Sequence, residues 1–357
     1  MGVGRGFRHG RRTRSGLGGR EVADRLDAKA SKEKLQQKRF KLAGELYRLG
    51  SSLHAHPMLS AADFRSFEIP GKAMFEAGPG GLVQVVVTTG LAHARIFLHG
   101  AHVADFHPAG EEPVLFTSRE SVFEPGRAIR GGVPVIFPWF GPRADDPKSP
   151  AHGFARTREW QLESVSEKAA GELVVTFTLA ADQATRALWP HDFLLRHTVT
   201  VGTALEMSLE VTNTGSSSFT FEDALHTYFT VSDVHQVEIH GLEGAEYIDK
   251  TDEQKRKRHA DDPIRFTSET DRVFLNTETT CTLVDQKLGR RIVVEKSGSV
   301  TTVVWNPWIK KSASLADFGD DEWPGMCCIE TANAADNAIT LAPGASHHTV
   351  ARIIIKA

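Results

Sequence analysis

The chain has 357 residues, of which 40% are hydrophobic and 24% charged, with a formal net charge of −3 and three cysteines. That balance suits a globular protein with a substantial core; it excludes wholesale disorder and an even disulfide framework, and no apolar run approaches the ~18 residues of a membrane-spanning helix. Residues 1–50 carry 14 Lys and Arg against 5 Asp and Glu, which leaves −12 on the remainder, an acidic body poorly suited to nucleic acid.

The first 20 residues hold six Arg, seven Gly and no acid, and so are expected to be disordered. Residues 21–49 turn to Ala, Lys, Glu, Gln and Leu, with Leu35, Leu42, Leu46 and Leu49 at roughly helical intervals, which predicts an exposed helix. The expected division is a basic extension over 1–57 and a catalytic domain over 58–357. The extension reads either as a solvated or read-through segment ahead of a start near Met58, which is preferred, or as an anchor or targeting peptide. It lacks the apolar stretch of a secretory signal. With adjacent Cys327 and Cys328 unable to pair without strain, a reducing cytoplasm is expected.

Beyond about Phe67 the pattern becomes period-two. Leu173, Val175, Phe177 and Leu179 alternate with Val174, Thr176 and Thr178, and Leu205, Met207, Leu209 and Val211 alternate with Glu206, Ser208 and Glu210. Such alternation predicts strands with one wet face. Further strands are expected at 82–89, 193–201, 291–295 and 350–355, and no stretch offers three turns of amphipathic helix. The fold class is therefore all-β, a large antiparallel β-sandwich.

Five segments place polar residues beside Gly and Pro within apolar runs: Arg130-Gly-Gly-Val-Pro134 continuing through Phe137-Pro-Trp-Phe-Gly141, His152-Gly-Phe-Ala-Arg156 with Trp160, His226-Thr-Tyr-Phe229, Val304-Trp-Asn-Pro-Trp308 and Cys328-Ile-Glu330. Aromatic faces with Arg, His and Glu suit a carbohydrate site. His99, His102 and His107 raise the question of a metal, but their stretch reads as strand and turn, and no metal-ligand motif occurs.

These segments, with Leu188–Phe193 and Glu269–Asp271, resemble in content and order the hexose-6-phosphate mutarotase branch of the aldose 1-epimerase family. The likeness runs from about Phe67 to the C-terminus. It implies a galactose mutarotase-like supersandwich whose concave sheet holds the site, and interconversion of the α and β anomers of a hexose 6-phosphate. By that resemblance His226 is the general acid, Glu330 the general base, Arg130 and Arg156 the phosphate clamp, and Asp271 a ligand of the sugar hydroxyls. His152 and Trp308 are further candidate substrate contacts, and Trp139 and Trp305 share with Trp308 the alternatives of covering the sugar or packing.

One departure concerns Ala151, where some relatives carry Gln, which puts the exact sugar in doubt. The implied cycle requires no cofactor or metal, and the expected partner is a small sugar phosphate bound by a monomer. Two rivals remain: a mutarotase for unphosphorylated aldoses, and a non-catalytic sugar-phosphate-binding protein on the same fold.

Overall fold

A computed structural model describes Met1, residues 59–143 and residues 145–356. The expected disordered stretch and helix of the extension lie outside the described residues. Among those described, no helix is long and apolar enough to cross a membrane.

The strands follow the alternation read from the sequence. Ala204–Asn213 buries Leu205, Met207, Leu209 and Val211 while Glu206, Ser208 and Glu210 stay partly exposed. Phe193–Val201, Arg290–Ser297 and Ser346–Lys356 form where strands were expected. In Leu173–Ala180 the face expected to be wet is largely covered, since Thr176 and Thr178 are buried too. Among the described residues, helix is confined to short pieces such as Gln183–Leu188, whose first turn is capped reciprocally by Asp182 and Thr185. The stretch holding His99, His102 and His107 is strand and turn, as read from its sequence.

Two eight-stranded antiparallel sheets carry the architecture. One runs Val237–His240, Cys281–Asp285, Arg290–Ser297, Ser346–Lys356, Ala204–Asn213, Phe193–Val201, Leu173–Ala180 and Gln161–Glu167. The other runs Lys255–Arg258, Glu246–Asp249, Thr270–Leu275, Thr301–Asn306, Met326–Asn333, Asp223–Leu225 and Val135–Ile136, with Tyr228–Thr230 also paired to Met326–Asn333. A four-stranded sheet over Ala73–Pro108 adds to the edge of this assembly's core.

The main core cluster draws Cys327 and Ile329 from one large sheet and Leu209, Val211 and Ile353 from the other. A buried polar tie reinforces it: Asn333 Nδ2 donates to Asp223 Oδ1 at 2.9 Å and the Thr349 hydroxyl donates to Asp223 Oδ2 at 2.6 Å. Because side chains alternate along a strand, Cys328, Glu330 and Ala332 face the opposite way from Cys327, Ile329 and Thr331. That second face is floored by a small separate cluster of Ile136, Ala224, Val273, Leu275, Val303 and Ala332. Met326–Asn333 is thus buried on both faces, and Glu330 occupies its non-core side.

Candidate active site

The site is assembled on that second face. Cα register aligns Asp271 with Trp305, Trp305 with Cys328 and Cys328 with Tyr228, so four neighbouring strands present these residues on one face. Glu330, two residues beyond Cys328, shares it. His226 lies in the short link between Asp223–Leu225 and Tyr228–Thr230, its backbone N–H donating to the Pro134 carbonyl at 3.1 Å.

The two residues expected to do the acid and base work meet: His226 Nε2 lies 3.2 Å from Glu330 Oε1, with side-chain exposures of 8% and 1%. His226 Nδ1 and Glu330 Oε2 are buried with no hydrogen-bond partner. Burial lowers His226 well below the ordinary imidazole range, and the charges of Arg156 and Arg130 push it further in that direction. Burial raises Glu330 well above the ordinary carboxyl range, aided by Asp271 and opposed by Lys250 and Arg156. Both shifts favour the uncharged forms, a neutral imidazole beside a protonated carboxyl.

The two arginines are placed differently. Arg130 Nε and Nη2 donate to the Asp317 carboxylate at 3.2 and 3.1 Å, and Nη1 donates to the Tyr228 hydroxyl at 3.1 Å. Burial opposes the Arg130 charge, but Tyr228 and Asp317 more than offset it and raise its pKa. Three of five N–H groups are thereby used, leaving one on each Nη. The Gly-Gly after Arg130 lets chain approach chain. A Cβ at Gly131 would lie 2.4 Å from Thr117 Cα, and one at Gly132 would lie 2.2 Å from the Val103 carbonyl oxygen. Arg156 Nη2 donates to the Ala151 carbonyl at 2.8 Å, while Nε is buried without a partner. Burial, and then Arg130, lower its pKa to about 10.

His152 stands edge-on to His226 with ring centroids 5.6 Å apart, and its Nδ1 accepts a hydrogen bond from the Gly141 N–H at 3.3 Å. Asp271 is raised by burial and partly restored by Lys250, whose Nζ lies 3.9 Å from Asp271 Oδ2. Trp308 is not drawn toward the pair: its ring packs on Trp323 at 4.4 Å and His235 at 5.0 Å. Trp305 instead meets His226 and Tyr228, at 6.1 and 5.8 Å. Trp139 is buried and packs on Phe154, its indole N–H donating to the Pro150 carbonyl. A concavity of about 420 Å³ is lined by Trp139, Phe140, Arg143, Trp189 and Glu222 among others, and neither His226 nor Glu330 is part of its lining.

Sequence reading missed three contributors: Tyr228, Asp317 and Lys250. Tyr228 carried a signal, since it sits two residues beyond His226. Asp317 lies 187 residues from Arg130, and Lys250 follows a strand with no pattern to mark it.

The family model described as Aldose 1-epimerase matches residues 84–353. A protein of Escherichia coli strain K12 named "Putative glucose-6-phosphate 1-epimerase" is 41% identical over 252 residues, covering 71% of this chain and 83% of its own. One of the same name from Cenchrus ciliaris is 36% identical over 275 residues, covering 74% and 82%. The crystal structure of a protein from Salmonella typhimurium described as a "putative mutarotase" superposes with a TM-score of 0.76 at 33% identity, covering 84% of this chain and 96% of the other. By sequence match and fold together, this chain belongs to the aldose 1-epimerase family and is an isomerase acting on a sugar.

Proposed function

We propose that the protein interconverts the α and β anomers of a hexose 6-phosphate, with glucose 6-phosphate the first substrate to test. The observation that carries this reading is the 3.2 Å approach of His226 to Glu330, two buried titratable groups each keeping one unpaired polar atom. A hexose whose C1–O5 edge rests against both side chains meets a proton acceptor and a proton donor at once.

In the proposed cycle Glu330 takes the proton of the anomeric O1 hydroxyl, the O1 electrons form the C1 carbonyl, the C1–O5 bond breaks, and protonated His226 delivers its proton to O5. Rotation about C1–C2 presents the other carbonyl face, and the reverse transfers close the ring. Each positioned proton transfer contributes about 10²–10⁴-fold.

The phosphate role of the arginines is supported by the free N–H on each Arg130 Nη and by the buried, unpartnered Nε of Arg156. Asp317 and Tyr228 hold the Arg130 fork in one orientation. A bound dianion also serves the chemistry: by cancelling the positive charge of Arg156 and Arg130 that depresses His226, it favours the protonated imidazole that the cycle needs. Asp271 is suited to accept from a sugar hydroxyl, and His152 to meet a hydroxyl beside the pair. The names of the relatives from Escherichia coli and Cenchrus ciliaris agree with a phosphorylated hexose.

The test is exchange NMR on anomers of glucose 6-phosphate and glucose with wild type, His226→Ala and Glu330→Gln. Acceleration confined to the phosphorylated sugar and lost in both variants is expected. Unchanged rates in the variants refute the assigned roles, equal acceleration of glucose favours an unphosphorylated substrate, and binding without acceleration favours a non-catalytic protein.

A further inference from the structure

The charged group that the proposed cycle leaves unused is Lys250. It follows the strand Glu246–Asp249, and its backbone N–H donates to the Asp271 carbonyl at 2.9 Å, which anchors its root beside the strand Thr270–Leu275. Its side chain is 27% exposed, with Nζ 5.2 Å over the Phe140 ring and 3.9 Å from Asp271 Oδ2. Among the described residues no acceptor lies within hydrogen-bond distance of Nζ, whereas the nearby Lys255 and Lys257 donate to Asp252 and Asp249.

Asp271 and Glu330 point to the same face two strands apart, since Asp271 registers with Trp305, and Trp305 with Cys328. Two carboxylates in a partly desolvated cleft cannot both stay ionised without a cation nearby. The titratable and charged groups bearing on Glu330 are His226 from the link after Asp223–Leu225, Cys328 on its own strand, Asp271, Arg156 from the turn Ala155–Thr157, and Lys250. Arg156 and Lys250 are the Arg and Lys side chains among them, with Lys311 and Asp249 also bearing on Asp271, and Arg156 is assigned to the phosphate. Once an anion binds, its charge cancels that of Arg156, and Lys250 is left to support the carboxylates.

Resting on the reading of Glu330 as the base, we propose that Lys250 is a positioning residue: it balances Asp271 and so eases ionisation of Glu330 while the substrate's anion occupies the arginine site.

The experiment has two arms. The first records the pH dependence of kcat and kcat/KM for anomer exchange of glucose 6-phosphate with wild type, Lys250→Met and Lys250→Arg. In Lys250→Met the acidic limb is expected to move up by about one pH unit, a loss of about tenfold on that limb that recovers at high pH, while Lys250→Arg keeps the wild-type limb. The second arm follows the Glu330 side-chain carboxyl by ¹³C NMR, with and without inorganic phosphate, identified by its loss in Glu330→Gln. Its titration is expected to shift upward in Lys250→Met, and more with phosphate present. An unmoved limb and an unmoved titration overturn the proposal, as does a rise in KM that is equal at all pH values, which makes Lys250 a substrate contact instead. If wild type accelerates no anomer exchange, the functional reading fails by itself, and the titration still decides the role of Lys250.

Discussion

The ring of Tyr228 lies parallel to the imidazole of His226, with centroids 4.9 Å apart and planes inclined by 13°, while the hydroxyl of the same tyrosine accepts a hydrogen bond from Arg130. One side chain therefore joins the proposed proton donor to the proposed anion site. Burial pushes the phenol up to about 12, so it stays protonated and neutral at working pH. Tyr228→Phe retains the stacked ring and removes the acceptor for Arg130. A hydrogen bond to a charged group is worth about 1.5–3 kcal/mol, so KM for glucose 6-phosphate is expected to rise about tenfold or more with a smaller change in kcat. An unchanged KM in steady-state anomer exchange contradicts this link.

The charges of Arg156 and Arg130 depress His226, so filling their site with an anion should release it. Titration of the His226 ring by NMR is expected to show its pKa rising when inorganic phosphate is added. In Arg156→Met the pKa should begin higher and respond less to phosphate. An equal response in that variant argues for anion binding elsewhere.

Glu330→Gln separates activity from stability. A carboxyl raised by burial destabilises the native state as pH rises through its folded value, because the unfolded chain ionises it more readily. The neutral amide removes that penalty. The variant is expected to lose anomer exchange yet to melt at higher temperature than wild type at pH 8, with the difference shrinking toward pH 4. A melting temperature lower than wild type at pH 8 contradicts the burial argument.

Two further histidines have no role in the proposed cycle. His102 and His197 are buried, and desolvation lowers them to about 3 and about 4. The unfolded chain takes up their protons near pH 6.5 while the native state refuses them, so stability is full above that pH and falls as pH drops toward the folded values. At pH 5 the loss is about 1–2 kcal/mol for each histidine relative to pH 8. Urea unfolding monitored by fluorescence checks this, and His197→Gln should flatten the slope between pH 6.5 and 5.

The strand pattern was legible because burial on one face of a strand is a local, period-two property: Leu205, Met207, Leu209 and Val211 declare their strand wherever it lies. The resemblance of ordered motifs pointed to His226, Glu330, Arg130, Arg156 and Asp271, although 104 residues separate the first two. What the sequence could not supply was register. Pairing of Tyr228 with Cys328 and of Trp305 with Asp271 decides which side chains share a face, and it rests on contacts between strands distant in the chain. Hence Trp305 rather than Trp308 came to face His226, the glycines after Arg130 served chain packing, and Asp317 and Lys250 entered the site with no local mark to announce them. Composition and alternation fix what each segment buries, whereas a buried acid and base meet at 3.2 Å only because tertiary packing brings their strands together.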